Sequence, residues 1–418
     1  MNVRVYPGYA SGNIQTPPSK SLLHRAIISA SLAKGVSIVK NVVYSEDIKA
    51  TINAFKKLGI RIIKQENQLE VHGNSNLAFF GNERIDCNES GSTIRFLIPL
   101  IVNSKGIYIT GKSSLMSRPF TVYETLFTEN GLVFDKSDKD IFLKGDLMAG
   151  DYIIPGNISS QFISGLLFAL PLKKSSSNLT VLGSFESKKY VDMTVETLAL
   201  FGIKIIETEK GYYIPGNQKY TPANISIESD FSQIAFFAVA GIINGDILVK
   251  NVNNDSSQPD IAIIDVIKDM GGKIKKTKNA IHFKKSETIG KTIDLSQNPD
   301  IGPILSILAS LSRETTQIIN ASRLRIKETD RLSASCDILK KFGVHVESNN
   351  DSMIITGQET LNGNTFHSYN DHRMVMSIAI AALRANQPVV IKKAEAINKS
   401  YPHFFEDLQS LGIKVEFF

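Results

Sequence analysis

Lysine and arginine residues in this sequence recur in short polar motifs that could bind an anionic ligand. A guanidinium fork pairs with two oxygens of a carboxylate or phosphate, and an ammonium group adds a compact positive charge. A ligand carrying both acidic groups would need several such cations. A single exposed cation usually faces solvent, but these ones lie close to predicted helix starts. They are Lys20 and Arg25 in SKSLLHR, Arg95 in SGSTIR, Arg118 in SRP, Lys327 and Arg331 in RIKETDR, Arg373 in NDHR and Lys399 in NKSYP.

Six strongly apolar helices, each opened by a polar cluster, are predicted near these motifs. Because they are apolar nearly all round, we expect them to be buried, with only their first turns in a polar place. At any one start the polar residue could simply be an N-cap. If the six starts converge, however, their unpaired N–H groups and helix dipoles form a phosphate-binding cleft. The starts fall near Lys20, Gly91, Ser160, Asp230, Asp300 and Asp371.

A sixfold repeat of about seventy residues positions these starts. A second helix in each copy ends at a glycine that precedes alternating apolar residues, which predicts a C′ cap followed by a strand. In four copies a second strand closes on another glycine, so the unit contains a β-hairpin. The first glycines are Gly59, Gly131, Gly202, Gly271, Gly343 and Gly412, and the closing ones are Gly73, Gly145, Gly216 and Gly357.

Composition places the chain among globular proteins with anionic partners. Its 418 residues, 42% hydrophobic and 21% charged, predict two domains of about 200 residues each. A net charge of +6 suits a nucleic acid, an anionic membrane surface or a phosphorylated substrate. Cys87 and Cys336 alone predict neither a disulfide framework nor a cysteine metal site. The first residues lack an apolar signal segment and no apolar run reaches about 18 residues, so we expect a cytoplasmic protein.

The segment Gly106 to Ser113, GIYITGKS, matches the spacing of a phosphate-binding P-loop. Its central residues Ile, Tyr, Ile and Thr predict a strand instead of a loop, and Pro119 interrupts any long helix after it. The match is therefore rejected.

The motifs PSKSLLHRA, ESGSTIR, SRP, SSQF, SKKYVD, NPDIGP, RIKETDR, YNDHRM and NKSYP occur in one order along nearly the whole chain. In this order and spacing the sequence resembles the 5-enolpyruvylshikimate-3-phosphate synthases of the enolpyruvyl transferase family. The resemblance implies a two-domain inside-out α/β barrel built from six βαβαββ repeats, three per domain, with helices inside and sheets outside. It also implies one domain over residues 17–227, mainly binding shikimate 3-phosphate. The other domain, residues 1–16 and 228–418, would bind phosphoenolpyruvate and carry the catalytic acids, with the active site in the cleft between the two.

The resemblance carries functional residues over position by position. The shikimate 3-phosphate site would contain Lys20, Ser21, Arg25, Ser159, Ser160, Gln161, Ser187, Tyr190, Asp300 and Lys327. The phosphoenolpyruvate site would contain Lys20, Gly91, Arg118, Gln161, Arg331, Arg373 and Lys399. Two positions depart from the family pattern, since Glu89 and Arg323 stand where an Asn is frequent. A carboxylate near a phosphate is repulsive unless it turns away or pairs with a cation.

The implied reaction adds the 5-hydroxyl of shikimate 3-phosphate to C2 of phosphoenolpyruvate, protonates C3 and then expels phosphate from a tetrahedral intermediate. Asp300 would be the base, and Glu328 or Lys20 the acid. No cofactor or metal is expected. We expect a monomer whose domains close over the two small substrates, with glyphosate as an inhibitor at the phosphoenolpyruvate site.

Two alternatives differ in acceptor or in class. The related transferase that uses UDP-N-acetylglucosamine usually has a Cys where this chain has Ser113, and Lys-Asn where this chain has Lys20-Ser21. Both differences favour shikimate 3-phosphate. A non-catalytic basic scaffold for nucleic acid would call for basic faces interleaved with aromatic residues, and an aromatic content of 8% argues against it.

Overall fold

The computed structural model describes residues 1–74, 77 and 84–418. The chain divides into two compact units, here called the terminal unit and the central unit. The terminal unit contains Met1–Ser19 and Glu228–Phe418, and the central unit contains Lys20–Ile227.

Residues 17–19 belong to the terminal unit, although the sequence placed them in the other domain. The backbone N–H of Asp230 donates to the carbonyl of Pro17 at 2.9 Å, and the N–H of Ser19 donates to Glu228 at 2.8 Å. These hydrogen bonds hold the outgoing chain against the returning chain, so the boundary follows Ser19.

Strands in the described residues are short, and most alternate buried and exposed positions, so each sheet has one face on a core and one in solvent. In chain order the strands are β1 Val3–Val5, β2 Ala10–Ile14, β3 Gly35–Lys40, β4 Arg61–Lys64, β5 Gln68–Gly73, β6 Arg84–Asp86, β7 Ile107–Thr110, β8 Val133–Lys136, β9 Asp140–Lys144, β10 Asp151–Pro155, β11 Ser177–Leu182, β12 Ile206–Thr208, β13 Gly211–Ile214, β14 Asn224–Ser226, β15 Gly245–Lys250, β16 Lys273–Thr277, β17 Ala280–Lys284, β18 Thr292–Asp294, β19 Thr315–Ile319, β20 Val346–Ser348, β21 Met353–Thr356, β22 Thr365–His367, β23 Val389–Lys392 and β24 Val415–Phe417.

Helices alternate with these strands along the chain. They are α1 Lys20–Leu32, α2 Glu46–Lys57, α3 Gly91–Ile101, α4 Ser113–Met116, α5 Thr121–Glu129, α6 Ser160–Ala169, α7 Lys188–Leu200, α8 Phe231–Asn244, α9 Ile263–Asp269, α10 Gly302–Ser310, α11 Arg331–Lys341, α12 His372–Ala381 and α13 Phe404–Ser410. The rejected P-loop segment contains β7, as its composition predicted.

Within the described residues, six four-stranded sheets share one topology, and this confirms the predicted repeat. The central unit has the orders β14-β3-β5-β4, β6-β7-β9-β8 and β10-β11-β13-β12, and the terminal unit has β2-β15-β17-β16, β18-β19-β21-β20 and β22-β23-β1-β24. The first pair of each sheet is parallel and the other pairs are antiparallel. The N-terminal strand β1 completes the last sheet by pairing with β24.

The strands that precede α1 and α8 are exchanged between repeats. Strand β2 comes directly before α1 but pairs with β15, the strand after α8. Strand β14 comes directly before α8 but pairs with β3, the strand after α1. The exchange occurs where the chain passes from one unit to the other.

Each unit has its own hydrophobic core around the predicted apolar helices. In the terminal unit α8, α10 and α12 pack against one another, and in the central unit α3 packs against α6 and α1. The second helix of each repeat ends as predicted, because all six first glycines have positive φ values between 73° and 93°. The fold expected from the sequence, helices covered by outer sheets in two units of three repeats, is therefore confirmed.

The helix-ending glycines give a direct stability prediction. Gly131 has a φ of 73° and no atom lies within 4 Å of an added Cβ, so Gly131→Ala adds only left-handed strain. We expect a loss of about 1–2 kcal/mol in the free energy of unfolding, measured from urea midpoints. Gly150 has the same open surroundings without a left-handed φ, and Gly150→Ala should be neutral or slightly stabilising. Equal midpoints for both variants would contradict this account of the helix ends.

Candidate active site

In the central unit the candidate cations surround the first turns of α1, α3 and α6. Lys20 opens α1, and its Nζ lies 2.6 Å from Oδ2 of Asp47 in the first turn of α2. This ion pair is mostly buried and fixes the lysine at the helix start. Asp47 was not predicted, and an acidic residue in the first turn of a helix is by itself no sign of a site.

Arg25 is buried one turn further along α1 and is held mainly by neutral groups. Its Nε donates to Oγ1 of Thr194 at 2.8 Å, and its Nη2 donates to the carbonyl of Tyr190 at 2.8 Å. Its Nη1 donates to the carbonyl of Ser21 at 2.7 Å, and its guanidinium lies 5.1 Å from the ring centroid of Phe96. Burial lowers the pKa of Arg25 to about 10, so it stays charged at neutral pH.

The second arginine, Arg95 on α3, also contacts neutral partners. Its Nη1 donates to Oε1 of Gln161 at 2.8 Å, and the Gln161 amide donates to Oγ of Ser92 at 2.9 Å. Ser159 caps α6 by accepting the N–H of Gln161 at 3.3 Å, and Ser160 is buried in the first turn. The starts of α3 and α6 are thus joined through Gln161.

Gly91, the first residue of α3, lies directly beside Arg118. An added Cβ would be 2.7 Å from Nη1 of Arg118 and 3.6 Å from Nη1 of Arg95, so the missing side chain leaves room for the Arg118 guanidinium. Glu89, the unusual carboxylate of this loop, accepts a hydrogen bond from Ser114 at 2.7 Å and lies 3.8 Å from Nζ of Lys112. Glu89 is therefore paired by these two residues.

Ser187 and Tyr190 lie at the start of α7. Ser187 is buried and caps the helix in the left-handed conformation, with φ of 52°, which is uncommon for a residue with a side chain. The N–H of Tyr190 donates to the Ser187 carbonyl at 3.0 Å, so the helix start that holds Arg25 is itself fixed.

A buried chain of hydroxyl groups, not anticipated from the sequence, ties three helices of the central unit together. Nδ1 of His24 lies 2.7 Å from Oγ1 of Thr51, which lies 2.6 Å from Oγ1 of Thr93, and Thr93 donates to Oγ of Ser90 at 2.7 Å. Burial, with the positive charge of Lys20, lowers the pKa of His24 well below its usual value. His24 is therefore neutral, and Ser90 caps α3 immediately before Gly91.

In the terminal unit, three cations converge on Asp300. Its Oδ1 lies 3.0 Å from Nζ of Lys327 and 3.1 Å from Nη1 of Arg331, and its Oδ2 lies 3.1 Å from Nη2 of Arg373. Burial alone would raise the pKa of Asp300, but these cations hold it well below its ordinary value. Burial lowers the pKa of Lys327, an effect that the negative charge of Asp300 opposes.

Arg331 is almost completely buried and contacts three carboxylates. Besides Asp300, its Nε donates to Oδ2 of Asp371 at 2.7 Å and its Nη2 donates to Oε2 of Glu328 at 2.5 Å. Burial alone would lower the pKa of Arg331, but the three negative charges raise it above its ordinary value. Asp371 also caps α12 by accepting the N–H of Arg373 at 2.8 Å. The sequence identified Asp371 as a helix start but not as a partner of Arg331.

Lys399 and Arg323 complete the terminal group. Nζ of Lys399 donates to the carbonyl of Asn370 at 2.5 Å, directly before the cap of α12. Arg323, the second departure from the family pattern, is buried in the 3₁₀ helix Ser322–Ile326, and its charge helps to lower the pKa of Lys327. In the terminal unit Asp300, Lys327, Glu328, Arg331 and Arg373 form one contact group, and Lys399 lies beside the cap of α12. In the central unit the contacts form two groups, one of Ser21, Arg25, Ser187 and Tyr190 and the other of Gly91, Arg118, Ser159 and Gln161 around Arg95. Ser160 lies in the first turn of α6, and Lys20 pairs with Asp47.

The chain is similar over nearly its whole length to proteins of one enzyme family. A sequence model of the family EPSP synthase (3-phosphoshikimate 1-carboxyvinyltransferase) matches residues 6–408. The 3-phosphoshikimate 1-carboxyvinyltransferase of Clostridium novyi is 44% identical over 98% of this chain and 97% of its own. That of Clostridium kluyveri is 43% identical over 99% of this chain and 98% of its own.

Solved structures add the same result for the fold. An EPSP synthase from Acinetobacter baumannii matches with a TM-score of 0.81 and 25% identity, covering all of both chains. The enolpyruvyl transferase NikO from Streptomyces tendae matches with a TM-score of 0.80 at 13% identity, covering 99% of this chain and 98% of its own, which supports the fold alone. Because the family model matches residues 6–408 and these relatives are more than 40% identical, the chain belongs to the EPSP synthase (3-phosphoshikimate 1-carboxyvinyltransferase) family.

Proposed function

We propose that this chain transfers the enolpyruvyl group of phosphoenolpyruvate to the 5-hydroxyl of shikimate 3-phosphate and releases phosphate, a step of the shikimate pathway that leads to chorismate and the aromatic amino acids. Family membership over nearly the whole chain supports this activity. The observation that carries the chemistry is Asp300, a carboxylate surrounded by Lys327, Arg331 and Arg373. A base beside cations that can bind an acidic donor is what the addition step requires.

The acceptor is assigned mainly to the central unit. Lys20, Arg25 and the starts of α1, α6 and α7 provide charge and N–H groups for a phosphate, and Ser159, Ser160, Gln161, Ser187 and Tyr190 provide polar contacts. Lys327 adds a cation from the terminal unit. The donor is assigned to Lys20, Gly91, Arg118, Gln161, Arg331, Arg373 and Lys399, so the proposed site draws on residues of both units. The closing of the two units over the substrates stays a prediction.

In the proposed mechanism Asp300 takes the proton of the 5-hydroxyl as its oxygen bonds to C2 of the donor. Glu328 or Lys20 supplies a proton to C3, giving the tetrahedral intermediate. Loss of a proton from the C3 methyl group and cleavage of the bond between C2 and the phosphate oxygen then release phosphate and restore the double bond. Cations around the leaving group stabilise the negative charge that builds on it.

The ion pairs of the free protein bear on the strength of the base. With three cations close by, Asp300 is fully ionised but weakly basic. An acidic donor that binds Arg331 and Arg373 competes for their N–H groups, and each cation diverted in this way raises the pKa of Asp300. Donor binding would therefore activate the base at the moment when it is needed.

Two finer expectations also stay proposals, namely a monomer and a location in the cytoplasm. Among the described residues no helix is both long and apolar enough to cross a membrane.

The activity is tested by phosphate release from phosphoenolpyruvate with two acceptors. We expect release with shikimate 3-phosphate and none with UDP-N-acetylglucosamine, the substrate of the related transferase. Release with the second acceptor alone would assign the chain to that other activity. No release with either, together with tight and salt-sensitive binding of nucleic acid, would favour a binding scaffold.

The role of Asp300 is tested by Asp300→Asn, which keeps the size of the side chain but removes the base. We expect turnover to fall by about 100-fold or more while the dissociation constant for shikimate 3-phosphate changes little. Asp294→Asn makes the same chemical change at an exposed position of the terminal unit and should leave turnover unchanged. Near-normal turnover of Asp300→Asn would remove this residue from the catalytic role.

Gly91→Ala tests the donor site. Because the new Cβ would lie 2.7 Å from Nη1 of Arg118, the guanidinium must shift. We expect the variant to bind glyphosate, which is longer than the donor, more weakly by about 1–3 kcal/mol. The inhibition constant for glyphosate should therefore rise by a larger factor than KM for phosphoenolpyruvate. Inhibition kinetics against varied donor measure both, with Gly150→Ala as the control. An insensitive wild type, or equal inhibition constants, would place Gly91 away from the donor.

A further inference from the structure

Asp260 is a buried carboxylate that interacts with Asp300 and has no part in the mechanism above. Asp260 belongs to the 3₁₀ helix Pro259–Ala262, and its residue surface is only 2% exposed. Its Oδ2 accepts a hydrogen bond from Oγ of Ser232, in the first turn of α8. A carboxylate that is this deeply buried is costly unless nearby groups stabilise it.

Side-chain hydrogen bonds hold Asp260 and the Asp300 segment in place. Nδ2 of Asn298, two residues before Asp300, donates to the carbonyl of Pro259 at 2.7 Å. Oε1 of Gln258, two residues before Asp260, accepts the N–H of Phe231 at 3.1 Å. The segments that carry the two carboxylates and the start of α8 are therefore joined by hydrogen bonds.

The charges facing Asp260 come from three sides. Asp230 and the Ser232 hydroxyl lie at the start of α8, Asp300 lies on the 3₁₀ helix Pro299–Ile301, and Arg373 lies on α12. The charged residues of the adjoining helix α9 are exposed to solvent; they are Asp265, Lys268 and Asp269.

Burial raises the pKa of Asp260 to about 6, and the negative charge of Asp300 adds to this rise. Arg373 and the Ser232 hydrogen bond act in the opposite direction. Two carboxylates that interact this closely titrate as a pair, so a proton bound by one changes the basicity of the other.

We propose that Asp260 is a positioning residue for the reaction, whose negative charge opposes the cations around Asp300 and keeps Asp300 basic enough to accept the hydroxyl proton. This inference rests on the proposed function. The transferred proton moves from the acceptor oxygen to Asp300, and Asp260 exchanges no atom with the substrates. When Asp260 is protonated, Asp300 loses a like-charged neighbour and becomes a weaker base.

The test compares the pH dependence of kcat in two variants, one that removes the charge of Asp260 and one that makes the carboxylate harder to ionise. Wild-type turnover should fall as the pH is lowered through about 6, because the pair then gains a proton. Asp260→Asn is permanently neutral, so it should be slower by about tenfold at pH 7 and lose this acid limb. Ser232→Ala keeps the carboxylate but removes a hydrogen bond to its ionised form. Its acid limb should therefore move to higher pH, with near-normal turnover at pH 8.

A matched control removes another buried hydroxyl from the same unit. Ser312 and Thr288 lie 2.7 Å apart through their side-chain oxygens, and Ser312→Ala should leave the acid limb where it is. An unchanged limb in Asp260→Asn, or shifts of the two variants in the same direction, would overturn the inference. If Asp260→Asn does not fold, Ser232→Ala alone tests the inference. An acid limb of kcat at the wild-type pH overturns the inference, and an acid limb at higher pH supports it. A wild type without phosphate release overturns the proposed function as well, which distinguishes the two failures.

Discussion

A guanidinium in a protein interior must be neutralised and hydrogen-bonded, and much of the terminal unit is arranged to do this for Arg331. The residue is only 1% exposed and contacts Asp371, Glu328 and Asp300. Removing one partner of such a buried network costs several kcal/mol, since the remaining charge is left uncompensated. The arginine thereby fixes the cap of α12, the proposed acid and the proposed base with one side chain.

The two units stabilise their arginines by different means. In the central unit Arg25 and Arg95 contact carbonyl, hydroxyl, amide and aromatic groups, which carry no negative charge. In the terminal unit Arg331 and Arg373 contact carboxylates. The first arrangement leaves positive charge available to an incoming phosphate. In the second arrangement, an anion that binds one of these arginines must replace a carboxylate that already contacts the guanidinium. Binding there is therefore an exchange of partners.

Periodicity explains what could be predicted from the sequence. The six helix-ending glycines and the six buried helices repeat at nearly constant spacing, and each signal is local, so helices, hairpins and repeat number followed directly. The exchange of β2 and β14, and the completion of the last sheet by β1, have no local signal because the paired strands are far apart in the chain.

The same difference applies to the candidate site. Family resemblance supplied residue identities such as Arg331 and Asp300, but their partners depend on contacts between distant segments. Asp371 and Asp47 are acidic residues in first turns or caps, where such residues are common for helix stability alone. Nothing in the sequence marks Asp260 as close to Asp300, since forty residues separate them and only the packing of the two 3₁₀ helices around α8 brings them together.

The boundary at Ser19 determines how the central unit is inserted in the chain. The N–H of Ser19 donates to the carbonyl of Glu228 at 2.8 Å, so the two ends of the terminal unit's interrupted chain are adjacent in space. The central unit is therefore an uninterrupted insertion that includes both β3 and its partner β14. A direct link from Ser19 to Glu228 would make the terminal unit one continuous chain without stretching it. The central unit, once removed, would keep the three sheets described for it.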